Sequence, residues 1–370
     1  LGDPLRVLHA VVNMNRGGAE TFIMNLYRNI DRSKIQFDFL TSKPGVFDDE
    51  IKALGGIIHR IPYISEVGHF GYKRALNDFF AKHSSYKIVH AHMDRMSGIV
   101  LQAAKKNSIP NRIAHSHNTQ SEGGVAARLY KWFAGTSIST SANQYVACTY
   151  DAATWLFQKK SKETYIMKNG IESDLFKYSE EIRKLKRTEL GISDNTLVLG
   201  HVGRFAKQKN HSMLIDIFAK VQQRCPNSLL LLAGEGPLRS SIEKKVSNLQ
   251  LADKVAFLGV QTNVNHLMQA FDLFVFPSHH EGLGIVLIEA QASGLPCVIS
   301  EKIPKEVDLG IGLVTQLPLN NEESFVDEVL KISSQSFRDR SVSSRSLSEQ
   351  GYNIRKTAQS IEGYYYSILR

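Results

Sequence analysis

Short apolar runs recur along the whole of this chain, and each is followed by a stretch patterned for a helix. In the first half they fall at residues 5–12, 37–41, 57–61, 88–90, 112–115, 144–147 and 163–167. In the second half they return at 197–202, 229–233, 255–258, 272–276, 296–299 and 313–315. Strands that alternate with helices in this way, with no short-period repeat or low-complexity segment between them, imply an α/β architecture built on parallel sheets. At about 150 residues per domain, 370 residues make roughly two domains, each large enough for its own core. The charged stretch 179–187, after the last strand of the first half, reads as the linker. It divides the chain into a first domain at 1–178 and a second at 179–350. The amphipathic pattern at 354–369, with Tyr364, Tyr365 and Tyr366, reads as a final helix.

Composition excludes several alternatives. Hydrophobic residues make up 42% of the chain, yet no apolar run approaches the ~18 residues of a membrane span, so a soluble globular protein is expected. Residues 5–12 follow no basic leader and read as a first buried strand, not a signal peptide. Cys148, Cys225 and Cys297 are scattered and lack metal-ligand spacing, as expected of free buried thiols in a reducing cytoplasm. Charge is uneven. Residues 1–178 hold 23 Lys+Arg against 15 Asp+Glu, which is nearly all of the net +9. A basic first domain suggests an anionic partner, but no nucleic-acid reader motif is present. A lipid surface fits better, because residues 126–133 (Arg128, Leu129, Lys131, Trp132, Phe133) and 69–80 (Lys73, Arg74, Phe79, Phe80) can be written as basic amphipathic helices. The same aromatics would equally serve a domain core.

The chemistry concentrates in two loops of the second half. In SHHEGLGIVLIEAQASGLPCVIS, a loop from Pro277 leads into a helix at 285–293, which Gly294 and Pro296 stop. The backbone N–H groups of Leu283, Gly284 and Ile285 would offer a phosphate site at the positive end of that helix. Glu281 and Glu289 accept hydrogen bonds only, so they must face hydroxyls, such as those of a sugar or ribose, instead of the phosphate itself. A capped helix with two solvated glutamates is the plain alternative. Upstream, GHVGRFAKQKN puts Gly203, Arg204 and Lys209 on the loop between the strand at 197–202 and a helix at 211–222. Ligands of open parallel sheets collect at such strand ends, and two cations there would neutralise a leaving diphosphate, Arg204 through its planar fork and Lys209 as a mobile point charge. An ordinary basic loop, with Lys207 alongside, is the plain reading.

Taken in order, NRGGAE (Gly17, Gly18, Glu20), AHSHN (His117), MKNGIESDLF (Asn169, Gly170), GRFAKQKN, LLLLAGEGPLR and the Glu281-to-Glu289 stretch resemble the retaining glycosyltransferases of family 4, the "glycosyl transferases group 1" type of polysaccharide biosynthesis. The resemblance covers nearly the whole chain. It implies the GT-B fold, two Rossmann-like parallel-sheet domains facing across a cleft, with the last helix, 351–370, crossing back to the first domain. Two departures stand out: Asn210, where many members carry glycine, and the His279–His280 pair, of which His280 bears on donor choice.

The resemblance also implies roles. His117, just past a buried strand, would contact the transferred sugar, with the neighbouring His115 as the structural alternative. Gly17 and Gly18 would let the backbone approach the donor closely. Arg204, Lys209 and Glu281 join His117 as the catalytic set, while Gly203, Leu283, Gly284, Ile285 and Glu289 bind the donor. Reaction without an enzyme nucleophile would proceed by attack on the face the diphosphate leaves. No Asp-x-Asp triplet occurs, so neither a metal nor any other cofactor is expected beyond the nucleotide-sugar donor, a UDP-sugar by default. The acceptor would be a glycan or a lipid-linked glycan in capsular, exopolysaccharide or cell-surface glycan synthesis, with the enzyme at the inner face of the membrane. The competing readings are a nucleotide-sugar 2-epimerase, a phosphorylase and a non-catalytic subunit that binds sugar nucleotide.

Overall fold

The structure is a computed structural model and describes residues 3–121, 123–335, 340, 347 and 349–370. The chain forms two compact units, Leu1–Ile171 with Gly351–Arg370, and Glu172–Gln350. The first unit holds a seven-stranded sheet of β1 (Leu5–Ala10), β2 (Ile35–Thr41), β3 (Ile58–Arg60), β4 (Ile88–Ala91), β5 (Asn111–Ser116), β6 (Gln144–Ala147) and β7 (Tyr165–Ile166), in the order β3-β2-β1-β4-β5-β6-β7. The second holds β8 (Leu197–Val202), β9 (Ser228–Ala233), β10 (Val255–Gly259), β11 (Leu273–Phe276), β12 (Cys297–Ser300) and β13 (Val314–Leu317), in the order β10-β9-β8-β11-β12-β13. Every pairing between these strands is parallel. Each sheet therefore reverses its strand order once, between β1 and β4 and between β8 and β11, and crevices at the carboxyl ends of such strand pairs are where ligands bind in this architecture.

Each unit has its own core. In the first, Phe22, Ile23 and Leu26 of the helix Gly18–Asn29 pack on Val7, Phe37 and Ile88, and the last helix, Ile354–Ser367, adds Ile354, Ala358, Ile361 and Tyr365 to the same cluster. The chain leaves this unit at Ile171 and re-enters beside it: Ile171 N–H donates to Tyr352 O at 2.8 Å, and Ile354 N–H donates to Ile171 O at 3.1 Å. Gly170 makes that approach possible, because a Cβ there would lie 2.7 Å from Ile354 Cα. In the second unit the helix His211–Arg224 packs Leu214, Ile217, Phe218 and Val221 against Leu199, Leu230 and Val275.

Two expectations need correction, and one open alternative is settled. The stretch 179–187 is not a linker; it lies in the helix Glu180–Glu189, eight residues into the second unit, which begins at Glu172. Two of its charges are buried ties: Arg183 and Arg187 both reach the Asp272 carboxylate, at 2.5 Å and 3.3 Å. Asp272 itself precedes β11 and accepts the Val198 N–H at 2.8 Å, so it ties the start of the two central strands, β8 and β11, to that helix. The segment at 69–80 belongs to the helix Ile64–Lys82, where Tyr72, Leu76, Phe79 and Phe80 face the core and Phe70 is the one strongly exposed aromatic of the helix. Finally, Cys148 and Cys297 are buried free thiols, whereas Cys225 is only half-buried.

Candidate active site

In the second unit the loops that follow β8 and β11 lie on either side of the point where strand order reverses, and they are bonded to each other. Gln208 Nε2 donates to His280 O at 2.9 Å, and His279 N–H donates to Gln208 O at 2.8 Å. Between them Lys209 Nζ pairs with Glu281 Oε1 at 2.7 Å and sits 4.6 Å from the centre of the Phe276 ring. Both partners are largely buried. Lys209 is therefore a fixed cation, not the mobile point charge expected, and Glu281 meets a lysine before it meets any hydroxyl. Arg204 is exposed at the start of the same loop, and Gly203 packs beside the Lys209 stem, where a Cβ would come within 3.4 Å.

Asn210 closes the turn in the left-handed conformation, φ 52° and ψ 44°, at the cap of the helix His211–Arg224. After glycine, asparagine is among the residues that most readily tolerate this backbone, which is the physical reason the departure from glycine is permitted here.

The helix Ile285–Ala292 starts from Gly284, whose φ of +79° is the conformation that glycine adopts without strain. The N–H groups of Leu283, Gly284 and Ile285 donate to no partner among the described residues, so this helix end presents open donors at its positive pole. One turn further, the half-buried Glu289 carboxylate accepts no hydrogen bond among the described residues, and burial pushes its pKa up to about 7. A carboxylate so placed is an acceptor waiting for a donor.

In the first unit Gly17 caps the helix Gly18–Asn29 just after β1, and open space surrounds the position a Gly18 Cβ would take. Neither glycine uses a left-handed backbone, so what they provide is clearance, not conformational freedom. His117 follows β5, half-buried, while His115 is fully buried within the strand.

The sequence reading missed what surrounds them. Histidines at 9, 90, 92, 115 and 117 lie on one face of β1, β4 and β5 and join edge to edge. His9 Nδ1 meets His92 Nε2 at 2.9 Å, and His92 Nδ1 meets His117 Nε2 at 2.8 Å. A second chain runs from the Tyr365 hydroxyl to His90 Nδ1 at 2.8 Å and from His90 Nε2 to His115 Nδ1 at 3.0 Å. The ring centres of each bonded histidine pair lie 5.1 Å apart, so each nitrogen points along the line joining the rings, toward its neighbour instead of a common centre. Burial draws all five pKa values down, to about 3 for His9 and His117. The rings are thus neutral near pH 7, and each N–H···N bond needs one donor and one acceptor. The period-two pairs His90/His92 and His115/His117 were the available signal, since residues two apart share a face of a strand.

The fold and the two loop systems define a GT-B glycosyltransferase. Residues 182–353 match the family "Glycosyl transferases group 1" and residues 16–175 match "Glycosyltransferase Family 4", and the chain belongs to these glycosyltransferases. It is 38% identical over 368 residues to the putative glycosyltransferase EpsF of Bacillus subtilis, covering 97% of this chain and 96% of that one. It is 26% identical over 318 residues to the capsular polysaccharide biosynthesis glycosyltransferase CapH of Staphylococcus aureus, covering 82% of each. Among solved structures, Anabaena HepE in complex with UDP and glucose superposes with a TM-score of 0.82 at 19% identity, covering 98% of this chain and 100% of that one.

Proposed function

We propose that this protein moves a hexose or N-acetylhexosamine from a UDP-sugar to a glycan or lipid-linked acceptor in capsular, exopolysaccharide or cell-surface glycan synthesis, with retention at the anomeric carbon and without a metal on the diphosphate. The CapH relative is a capsular polysaccharide biosynthesis glycosyltransferase, and a relative 26% identical over 314 residues, covering 78% of this chain, is an Escherichia coli galactosyltransferase acting on a diphosphoundecaprenol acceptor. The observation that carries the reading is the bonded pair of loops in the second unit, where open helix N–H groups, two cations and an unpartnered carboxylate stand together.

Each group has a task in that reaction. The donor diphosphate accepts from Leu283, Gly284 and Ile285, while Arg204 and Lys209 stabilise the charge that grows on it as the glycosidic bond breaks. Glu281 holds Lys209 in place. Glu289 accepts from the ribose hydroxyls. His117 contacts the transferred sugar, its ring oriented by His92. The acceptor hydroxyl attacks on the face the diphosphate leaves, and the departing phosphate takes its proton. A panel of UDP-, GDP- and ADP-sugars tests this: nucleoside diphosphate should appear only with acceptor present, the product should carry the donor's anomeric configuration, and chelator should change nothing. Release without acceptor would favour an epimerase or hydrolase, and an inverted product would end the retaining mechanism.

A peripheral membrane location has its own support. No helix among the described residues is long and apolar enough to cross a membrane. The helix Val125–Gly135, however, leaves Val125, Leu129, Trp132 and Phe133 at 76%, 63%, 58% and 57% exposure, with Arg128 and Lys131 on the same helix. Those apolar positions fall on one helical face, as expected of a helix that lies in an anionic lipid surface.

A further inference from the structure

The turn Asp94–Met96, which follows β4, carries a guanidinium without an ion-pair partner among the described residues. Arg95 is half-buried, with its stem against Gly135 and its Cζ 5.0 Å from the centre of the Trp155 ring. Among the described residues it donates no side-chain hydrogen bond and forms no ion pair, and Asp94 is the one charge that offsets its burial. The guanidinium offers five donors in a fixed fork, a geometry that matches a phosphate better than a single carbonyl. Arg95 faces a cavity of about 300 Å³ in the first unit, whose wall includes Trp132, Thr136, Ser139, Gln158 and Lys160. Lys160 is already paired with Glu163 at 2.8 Å, so Arg95 is the cation left to meet an anion there.

The rim of the cavity says which kind of anion. Trp132 belongs both to the cavity wall and to the exposed apolar face of the helix Val125–Gly135. A ligand seated there would have its charged head at Arg95 and apolar surface beside it. The same turn also holds the candidate sugar-contacting loop, since Asp94 Oδ1 accepts the His117 N–H at 3.4 Å.

We propose that this cavity seats the phosphate of a lipid-linked acceptor, with Arg95 as its fork and the exposed face of the helix Val125–Gly135 along its hydrocarbon chain. The identity of the ligand as the acceptor rests on the glycosyltransferase reading; the binding itself does not require turnover. Both tryptophans of the chain, Trp132 and Trp155, stand at this site, so intrinsic fluorescence reports on it directly. Titration of the full chain with farnesyl diphosphate should give a saturable change, weaker by about tenfold or more for inorganic pyrophosphate and absent for farnesol at equal concentration. Arg95→Gln should weaken farnesyl diphosphate about tenfold or more, with Arg95→Lys between the two, because a charge-assisted fork is lost. Thermal unfolding of each variant checks that it is folded. Equal binding of farnesol would leave only an apolar surface, and equal binding of pyrophosphate would make it a free-anion site. Wild-type affinity in Arg95→Gln, or no binding at all, would overturn the proposal. Calorimetry with UDP on the same sample keeps the outcomes apart, since UDP bound without farnesyl diphosphate ends this inference and leaves the donor site standing.

Discussion

Lys209 and Glu289 carry opposite electrostatic situations in one loop system, and each yields a separable test. Lys209 is neutralised in advance by Glu281, so its pull on a diphosphate adds to an existing ion pair instead of creating one. Lys209→Ala should lower turnover about 10²- to 10³-fold, while Lys207→Ala, exposed in the same turn, should do far less. The first variant also removes the ion-pair partner of a buried carboxylate, which lowers stability. Turnover must therefore be compared at a temperature where the unfolding curve shows the variant folded; equal losses in the two variants would make the loop a generic basic surface. Glu289 titrates near 7 in the fold against 4.5 for a free glutamate, so the native state holds its proton more tightly and stability falls as pH rises from about 4.5 to 7. Glu289→Gln should flatten that slope and stabilise at pH 8 by up to about 3 kcal/mol, with no effect at pH 4. UDP affinity should rise with pH through the same window in the wild type and lose that dependence in the variant, as calorimetry at pH 5.5 and 8 would show.

At the scale of elements, the strands were the most legible part of the chain, because a parallel strand is covered on both faces and reads as an unbroken apolar run. Every run anticipated from the sequence is a strand, and β6 and β8 match to the residue. Less legible was anything set by register between strands. The Lys209–Glu281 pair joins two loops 72 residues apart, and the histidine chains depend on β1, β4 and β5 aligning His9 with His90. The amphipathic segments at 69–80 and 126–133 looked alike in sequence, yet one turns its aromatics inward and the other leaves them in solvent, since only neighbouring elements decide which face is covered. The exposed helix gives a direct test. Sedimentation with anionic vesicles at low salt should pellet the protein, and the fraction bound should fall as salt rises. Leu129→Ser with Trp132→Ser should cut pelleting severalfold without lowering the melting temperature, because those side chains pack on little. Equal pelleting with neutral vesicles would count against the electrostatic part.

At the scale of the molecule, the first unit is built from both ends of the chain, with the second unit inserted between. Truncation after residue 350 removes Ile354, Ala358, Ile361 and Tyr365 from a fully buried cluster, and each large apolar side chain lost from a core costs about 2–5 kcal/mol. Limited proteolysis of the truncated chain should digest residues 1–171 rapidly and leave a resistant fragment beginning near Glu172; equal resistance of both halves would show that the final helix is dispensable. The same arrangement has a consequence in time. On the ribosome the strands of the first unit emerge early, but the helix that completes their core is translated only after residues 172–350, roughly ten to forty seconds later at bacterial and eukaryotic elongation rates. For that interval Phe22, Phe37 and His90 lack the cover of the helix Ile354–Ser367, so the nascent first unit keeps part of its core open to water until that helix emerges.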